Sequence, residues 1–346
     1  PGLHGRYSPA ATLGLTRKGV KEMLKEVQEV KVGGRTRRVY VRPFAWNLHA
    51  PTHMEWTPDG RLLVVERTTG KVKDVTKGGD MEEAKPFAWG LQGPSSMCPL
   101  PDGRIILSEF WGERVVDITH GGPASQMPVF CSGLIRPYSI TCVRSRKGSH
   151  RIFVVSSARS DSLEDVRGLV SEITTGTPTP VIIDIPSRRS VGTEGFTPPE
   201  TWPENWSAFA SKCSKNSWTT FLPDVEDTLV LAISSLGRVV VFPLEEQNSR
   251  PQSALEIAER HTIGYDLGEL GGIIGHPYNH LLYVTQPIQG TIIALDPQES
   301  RSYAFDPPVV RGLPSPTCVR FTPDGEKMLV CSPTNGVVWE VTGFSS

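Results

Sequence analysis

Residues 44–76 read FAWNLHAPTHMEWTPDGRLLVVERTTGKVKDVT, and residues 87–119 read FAWGLQGPSSMCPLPDGRIILSEFWGERVVDIT. The two stretches align without a gap at an offset of 43 residues, and 130–143, FCSGLIRPYSITCV, continues at the same offset. A further copy occupies 313–342, LPSPTCVRFTPDGEKMLVCSPTNGVVWEVT. Two degenerate copies lie between, at 216–243 and 270–297, so the chain holds six units. Internal repetition at this period marks a solenoid, a propeller or an array.

Each unit has the same internal logic. A proline (Pro51, Pro94, Pro137, Pro316) opens a first strand, where a missing N–H is tolerated. Apolar residues follow at alternate positions, as in Met54 and Trp56 or Val319 and Phe321. Pro-Asp-Gly at 58–60, 101–103 and 323–325 is tight-turn chemistry, because Pro presets φ and Gly accepts φ > 0. A second strand (61–66 in the first unit) leads to a polar turn ending in Gly70, Gly112, Gly237, Gly290 or Gly336. A third strand ends at Thr76, Thr119 or Thr342, and a short Phe-Ala-Trp segment supplies a fourth. Four strands in about 43 residues is the size of a propeller blade. The expected fold is all-β: a six-bladed β-propeller with four-stranded blades. The chain ends after the third strand of the sixth unit, while a spare fourth strand, Val39–Phe44, precedes the first. That strand is expected to pair with 336–341 and close the ring, leaving no open edge.

Two segments fall outside the repeat. Residues 1–36 form a basic arm in which 19–30, GVKEMLKEVQEV, place Val20, Met23, Leu24, Val27 and Val30 on one helical face, predicting a short N-terminal amphipathic helix. Residues 37–346 are then the propeller, interrupted at 175–215 by a long insertion rich in Pro, Ser and Trp. The insertion precedes a first strand and is expected to cover the channel mouth, bringing Glu194, Trp202 and Trp206 with it.

Charge and cysteine content bound the function. Net charge is −1, but residues 1–42 carry ten Lys or Arg against three acids, leaving −8 on the remainder. The arm can contact an acidic partner or lie on the acidic body of the propeller itself, and nucleic acid is a less favoured partner. No apolar run reaches membrane-spanning length, so no membrane span is expected. The six cysteines form no C-x-x-C pair, which argues against a zinc knuckle, and most sit in apolar strand patterns. Unpaired cysteines of this kind favour an intracellular compartment. There is no G-x-S-x-G, phosphate-binding glycine loop or H-E-x-x-H.

In the expected fold the segments leading into first strands share a ring face with the second-to-third turns, and the Pro-Asp-Gly turns occupy the other. The first face gathers His49, His53, Glu66, Arg67, Glu109, Trp111, Arg136, Tyr138, Arg159, Trp218 and Gln286 as candidate ligand-binding residues. Such carboxylates, guanidinium groups and aromatics around a concavity suit a polar small molecule, a sugar or a peptide. His53, Glu55, Glu66 and Glu109 are candidate ligands for a divalent metal, calcium or similar, in the central channel. His276 and His280 flank a turn on the opposite face and are expected to be structural.

The P-x-x-M/I/V-x-x-x-P-D-G-R-L/I-x-V/L-x-E pattern resembles the repeats of NHL-type and SMP-30/gluconolactonase-type six-bladed propellers. Residues 62–72, LLVVERTTGKV, are also similar to the first blade of soluble quinoprotein glucose/sorbosone dehydrogenases. The first resemblance implies a central divalent metal held by Glu, Asn and Asp from different blades. The second implies a catalytic His in the second-blade region, where this chain has none. Two functions remain open at this point: a ligand- or partner-binding propeller using the covered mouth, and an enzyme there, either a metal-dependent, lactonase-like hydrolase or a sugar oxidoreductase.

Overall fold

A computed structural model describes residues 26–32, 35–145, 148–158, 167–186, 218–220, 227–247 and 250–344. The strands form six sheets, one per repeat unit, arranged as the blades of a propeller. Blade 1 is Pro51–Trp56, Leu62–Glu66, Lys71–Asp74 and Pro86–Trp89, each antiparallel to the next. Blade 2 repeats it with Pro94–Pro99, Ile105–Glu109, Arg114–Asp117 and Val129–Cys131.

The second strands explain why the ring holds together. Successive side chains of a strand point to opposite faces, and both faces of a blade pack on a neighbour. Leu62 and Val64 join Leu329, Cys331 and Val338 of blade 6, whereas Leu63 and Val65 join Met97, Leu107 and Val116 of blade 2. The second strands of blades 1 and 2, LLVVE and IILSE, therefore have every residue buried, with apolar side chains on both faces before the polar end.

Ring closure follows the expected register. Arg35–Trp46 contains the predicted Val39–Phe44 and pairs antiparallel with Val337–Thr342, placing Val41 opposite Val341. The predicted helix over 19–30 is not borne out in its C-terminal part. Glu26–Val32 is a strand, hydrogen-bonded to Arg35–Trp46 as a fifth strand of blade 6. Gln28 and Val30 are buried and Glu29 exposed, a period of two. The sequence between the two strands is Gly33-Gly34, a two-residue hairpin signal that the helical reading overlooked. Residues 19–25 lie outside the described residues. Gln28 ties the added strand to blade 5 by donating to Arg311 O at 2.8 Å and accepting from Arg311 N at 3.0 Å.

Four further details differ from expectation. Thr179–Ile185, assigned from sequence to the insertion, is the fourth strand of blade 3 and pairs with Gly168–Glu172. Residues 187–217, and with them Glu194, Trp202 and Trp206, lie outside the described residues. Blade 5 has three strands, Ile273–Gly275, Leu282–Gln286 and Thr291–Leu295, and its fourth position is a single bridge between Ile292 and Val310. Pro307 and Pro308 precede that bridge and have no N–H to extend a ladder. In blade 2 the left-handed residue of the polar turn is Glu113 (φ 53°), not Gly112. An unpredicted helix, Ala254–His261, buries Ile257 and Ala258 against blades 3 and 4.

Two repeated clasps join neighbouring blades. Leu48, Leu91 and Leu313 donate their N–H groups to the carbonyls of Gly336, Gly70 and Gly290 at 2.9–3.0 Å. Short parallel strands do the same at the rim, where Gly79–Asp80 lies on Ala45 and Trp46, and Gly122–Pro123 lies on Ala88 and Trp89. No helix among the described residues is long and apolar enough to cross a membrane.

Candidate functional site

The first ring face resolves into four local constellations. The first repeats between blades. Glu66, at the end of a second strand and fully buried, accepts from His49 N at 2.9 Å and from Thr69 Oγ1 at 2.9 Å, and it lies 3.4 Å from Lys73 Nζ. Lys73, itself buried, donates to Met81 O at 2.6 Å. Glu109 occupies the same place in blade 2, accepting from Gln92 N at 2.6 Å and pairing with Arg114. Gln286 is the blade 5 counterpart, with its amide donating to Leu267 O and accepting from Thr291 Oγ1. Each of these side chains pins the segment leading into its blade's first strand. A buried carboxylate is held there because it is paired and hydrogen-bonded.

The second constellation lines the inner wall. His53 comes within 3.2 Å of Ser96 Oγ and 2.9 Å of Arg320 Nη2 through Nε2, while Met97 N approaches Nδ1 at 3.3 Å. Arg320 also donates to Glu55 at 2.8 Å. Burial, and then the Arg320 charge, hold His53 well below the usual imidazole range, so it is neutral. The Ser96–His53 distance is that of a nucleophile–base pair. However, both residues are at most 2% exposed, and Nδ1 faces a main-chain donor where an orienting carboxylate would be needed. The contact is a joint between blades 1, 2 and 6.

The third constellation is aromatic. The guanidinium of buried Arg67 stacks over Phe110 at 4.2 Å, Tyr138 at 5.3 Å and Trp111 at 5.8 Å. Phe110 meets Trp111 and Tyr138 edge to face. Trp111 remains 56% exposed. A Cβ on Gly93 would lie 2.4 Å from the indole, so the ring rests directly on the glycine of the segment leading into blade 2.

The fourth is a set of buried hydroxyls. Thr52, Thr285 and Ser332 sit at the beginnings of first strands or the ends of second strands, and their hydroxyls have no hydrogen-bond partner.

Of the remaining sequence-derived candidates, Arg136 is exposed with φ 49° just before Pro137. The backbone of Trp218 opens the first strand of blade 4, and its side chain is outside the described residues, as is all of Arg159. The metal set is not brought together. His53 and Glu55 face Arg320, while Glu66 and Glu109 serve separate blades. Among the described residues no three His, Cys, Asp or Glu side chains converge. The physical reason is that each carboxylate has a cation or a main-chain N–H from its own or an adjoining blade. His276 is structural, accepting at Nδ1 from Tyr278 N and Asn279 N and contacting Gly325 O at 3.0 Å. Sequence reasoning missed Arg320 and Phe110. Arg320 stands three residues before Pro323, as Glu55 does before Pro58, and opposite charges at matched positions in adjoining units were the available signal.

No protein-family model matches the chain, and no curated protein matches its sequence. Solved structures do match its fold. A gluconolactonase from Xanthomonas campestris superposes with a TM-score of 0.59 at 9% identity, over 92% of this chain and 95% of that one. Regucalcin from Agrobacterium tumefaciens, a calcium-binding protein, gives 0.55 at 12% identity, over 87% and 95%. A luciferin-regenerating enzyme gives 0.55 at 15% identity, over 89% and 96%. The chain thus has the six-bladed propeller fold of the SMP-30, gluconolactonase and regucalcin structures.

Proposed function

We propose that the protein is a ligand-binding propeller whose ligand, a polar small molecule, sugar or peptide, seats on the first ring face against Trp111. The observation that carries this reading is the state of that indole. It is more than half exposed yet fixed by Gly93 beneath it and by the Arg67–Phe110–Tyr138 stack beside it. A rigid, amphipathic ring offers contact area at little entropic cost. Burying Arg67 under three rings supports the platform from below.

Saturation-transfer NMR tests this with a panel of monosaccharides, sugar acids, oligosaccharides and short peptides, comparing the wild type with Trp111→Ala. Transfer to at least one class in the wild type, lost in the variant, is the expected result. Transfer that survives the substitution places the ligand elsewhere. Glucono-δ-lactone hydrolysis with and without added calcium is the second arm, and turnover abolished by chelation would replace the binding reading with a metal-dependent hydrolase.

A further inference from the structure

Blades 2 and 3 bring two thiols face to face. Ile140 N donates to Ser96 Oγ at 3.3 Å, which sets the first strand of blade 3, Ile140–Arg144, beside the first strand of blade 2, Pro94–Pro99. First strands run in the same direction around the ring, so two residues further along each one Cys142 stands beside Cys98. The phase is fixed as well. Met97 packs with Leu63 and Val65 of blade 1, and Cys98, next along the strand, turns the other way to pack with Ile140, Ile152 and Val154 of blade 3. Ile140 packs with Ile106 and Val115 of blade 2, and Cys142 shares its side of the strand. Cys98 and Cys142 pack in that one cluster, where the Cys98 thiol donates to Pro99 O at 3.6 Å. Cys98 is 6% exposed, whereas Cys142 is only partly buried.

We propose that Cys98 and Cys142 are an oxidation site, closing a reversible disulfide between the first strands of blades 2 and 3 when a peroxide is the oxidant. The accessible Cys142 thiolate attacks one peroxide oxygen. The O–O bond breaks, water leaves after protonation, and Cys142 becomes a sulfenic acid. The Cys98 sulfur then attacks that of Cys142, an S–S bond forms, and a second water leaves with the Cys98 proton. Two thiols lose two electrons and two protons in total, and hydrogen peroxide is reduced to two waters. The neighbouring Cys98 favours the thiolate at Cys142, while Cys98 is pushed well up by Cys142 and by burial. This division matches an attacking and a resolving thiol. The other facing pair, Cys318 and Cys331, are direct partners across blade 6, but both are fully buried and closed to the oxidant. Burial raises Cys131 to about 11, which keeps it protonated.

The test is peptide mapping by mass spectrometry of the folded full-length chain, treated with hydrogen peroxide and then alkylated under denaturing conditions. The expected product is a Cys98–Cys142 cross-link two hydrogens lighter than the paired thiol peptides. It should be reversed by dithiothreitol and accompanied by a raised melting temperature. Fragment ions assign the bond to Cys142 rather than Cys131. Recovery of Cys98 and Cys142 as alkylated thiols under conditions that oxidise other cysteines would overturn the proposal. So would sulfinic acid at Cys142 without a cross-link.

Discussion

The carboxylate of Glu66 accepts a hydrogen bond from the main-chain N–H of His49, 17 residues earlier, at 2.9 Å, and Glu109 holds Gln92 N across the same separation at 2.6 Å. Both carboxylates sit where a ring-face ligand or metal site would draw them, and both are instead spent on positioning the loop that enters their own blade. In blade 6 the corresponding places are Pro314, which has no N–H, and Ser332, which has no carboxylate. Across blades 1, 2 and 6 the charge is present where there is a donor to hold and absent where there is none.

Glu66→Ala is therefore expected to destabilise the fold by about 3–5 kcal/mol, because it strands the buried Lys73 ammonium and the His49 N–H. Glu66→Gln, which keeps an acceptor, should cost less. Glu109→Ala should cost less than Glu66→Ala, since the Arg114 side chain is 31% exposed and can be solvated. Urea unfolding midpoints rank the three.

Removing residues 37–46 deletes the strand that pairs with Val337–Thr342 and leaves Val338, Trp339 and Val341 at an open edge. The cooperative transition should shift to lower temperature or be lost. Val41→Asp, which buries a charge opposite Val341, should move the midpoint in the same direction. A calorimetric trace unchanged by the deletion would mean that the ring is not closed this way.

Gly336→Ala should destabilise more than Gly103→Ala. Both glycines have positive φ, 67° and 90°, so both substitutions incur backbone strain of about 1–3 kcal/mol. Only at Gly336 would the new Cβ lie 2.3 Å from Leu48 O, whereas Gly103 faces nothing within 4 Å. The difference between the two unfolding free energies isolates the clasp between blades 6 and 1.

Acid should weaken the fold through histidine. His53 and His276 are held below 6.5 in the folded chain, in both cases chiefly by burial. Above 6.5 both are neutral whether folded or not. Below it the unfolded chain takes up protons that the folded chain refuses, so stability falls as pH drops from 6.5 towards the folded values. Each such group contributes about 1.4 kcal/mol per pH unit in that window. His53→Gln should flatten the slope by one proton, read from urea unfolding at a series of pH values.

The repeat made the blade frame legible because a propeller reuses one register. Pro-Asp-Gly, the apolar second strand and the trailing Thr recur at fixed spacing, and the Val39–Phe44 closure followed from counting strands. The outermost elements were harder to read. Thr179–Ile185 looks like loop because Pro178, Pro180 and Pro186 surround it, yet an outer strand tolerates Pro180 opposite Ser171. Glu26–Val32 satisfies a helical period and a strand period equally well, and the tertiary edge decided between them. At the ring face the residue types were legible but their partners were not. His53, Glu55, Glu66 and Glu109 read as a metal set until Arg320, Lys73, Arg114 and two main-chain N–H groups are placed beside them. A one-dimensional pattern does not specify which blade's cation meets which carboxylate.

Fluorine NMR of the chain labelled with 5-fluorotryptophan tests Trp111 as the ligand platform most directly. The Trp111 resonance is assigned by its disappearance in Trp111→Phe, and the panel of sugars, sugar acids and peptides is then titrated. A saturable shift of the Trp111 signal, with that of the buried Trp339 unmoved, is the result expected. Saturable binding that shifts other tryptophans and leaves Trp111 unchanged, or no shift from any member of the panel, would contradict the account.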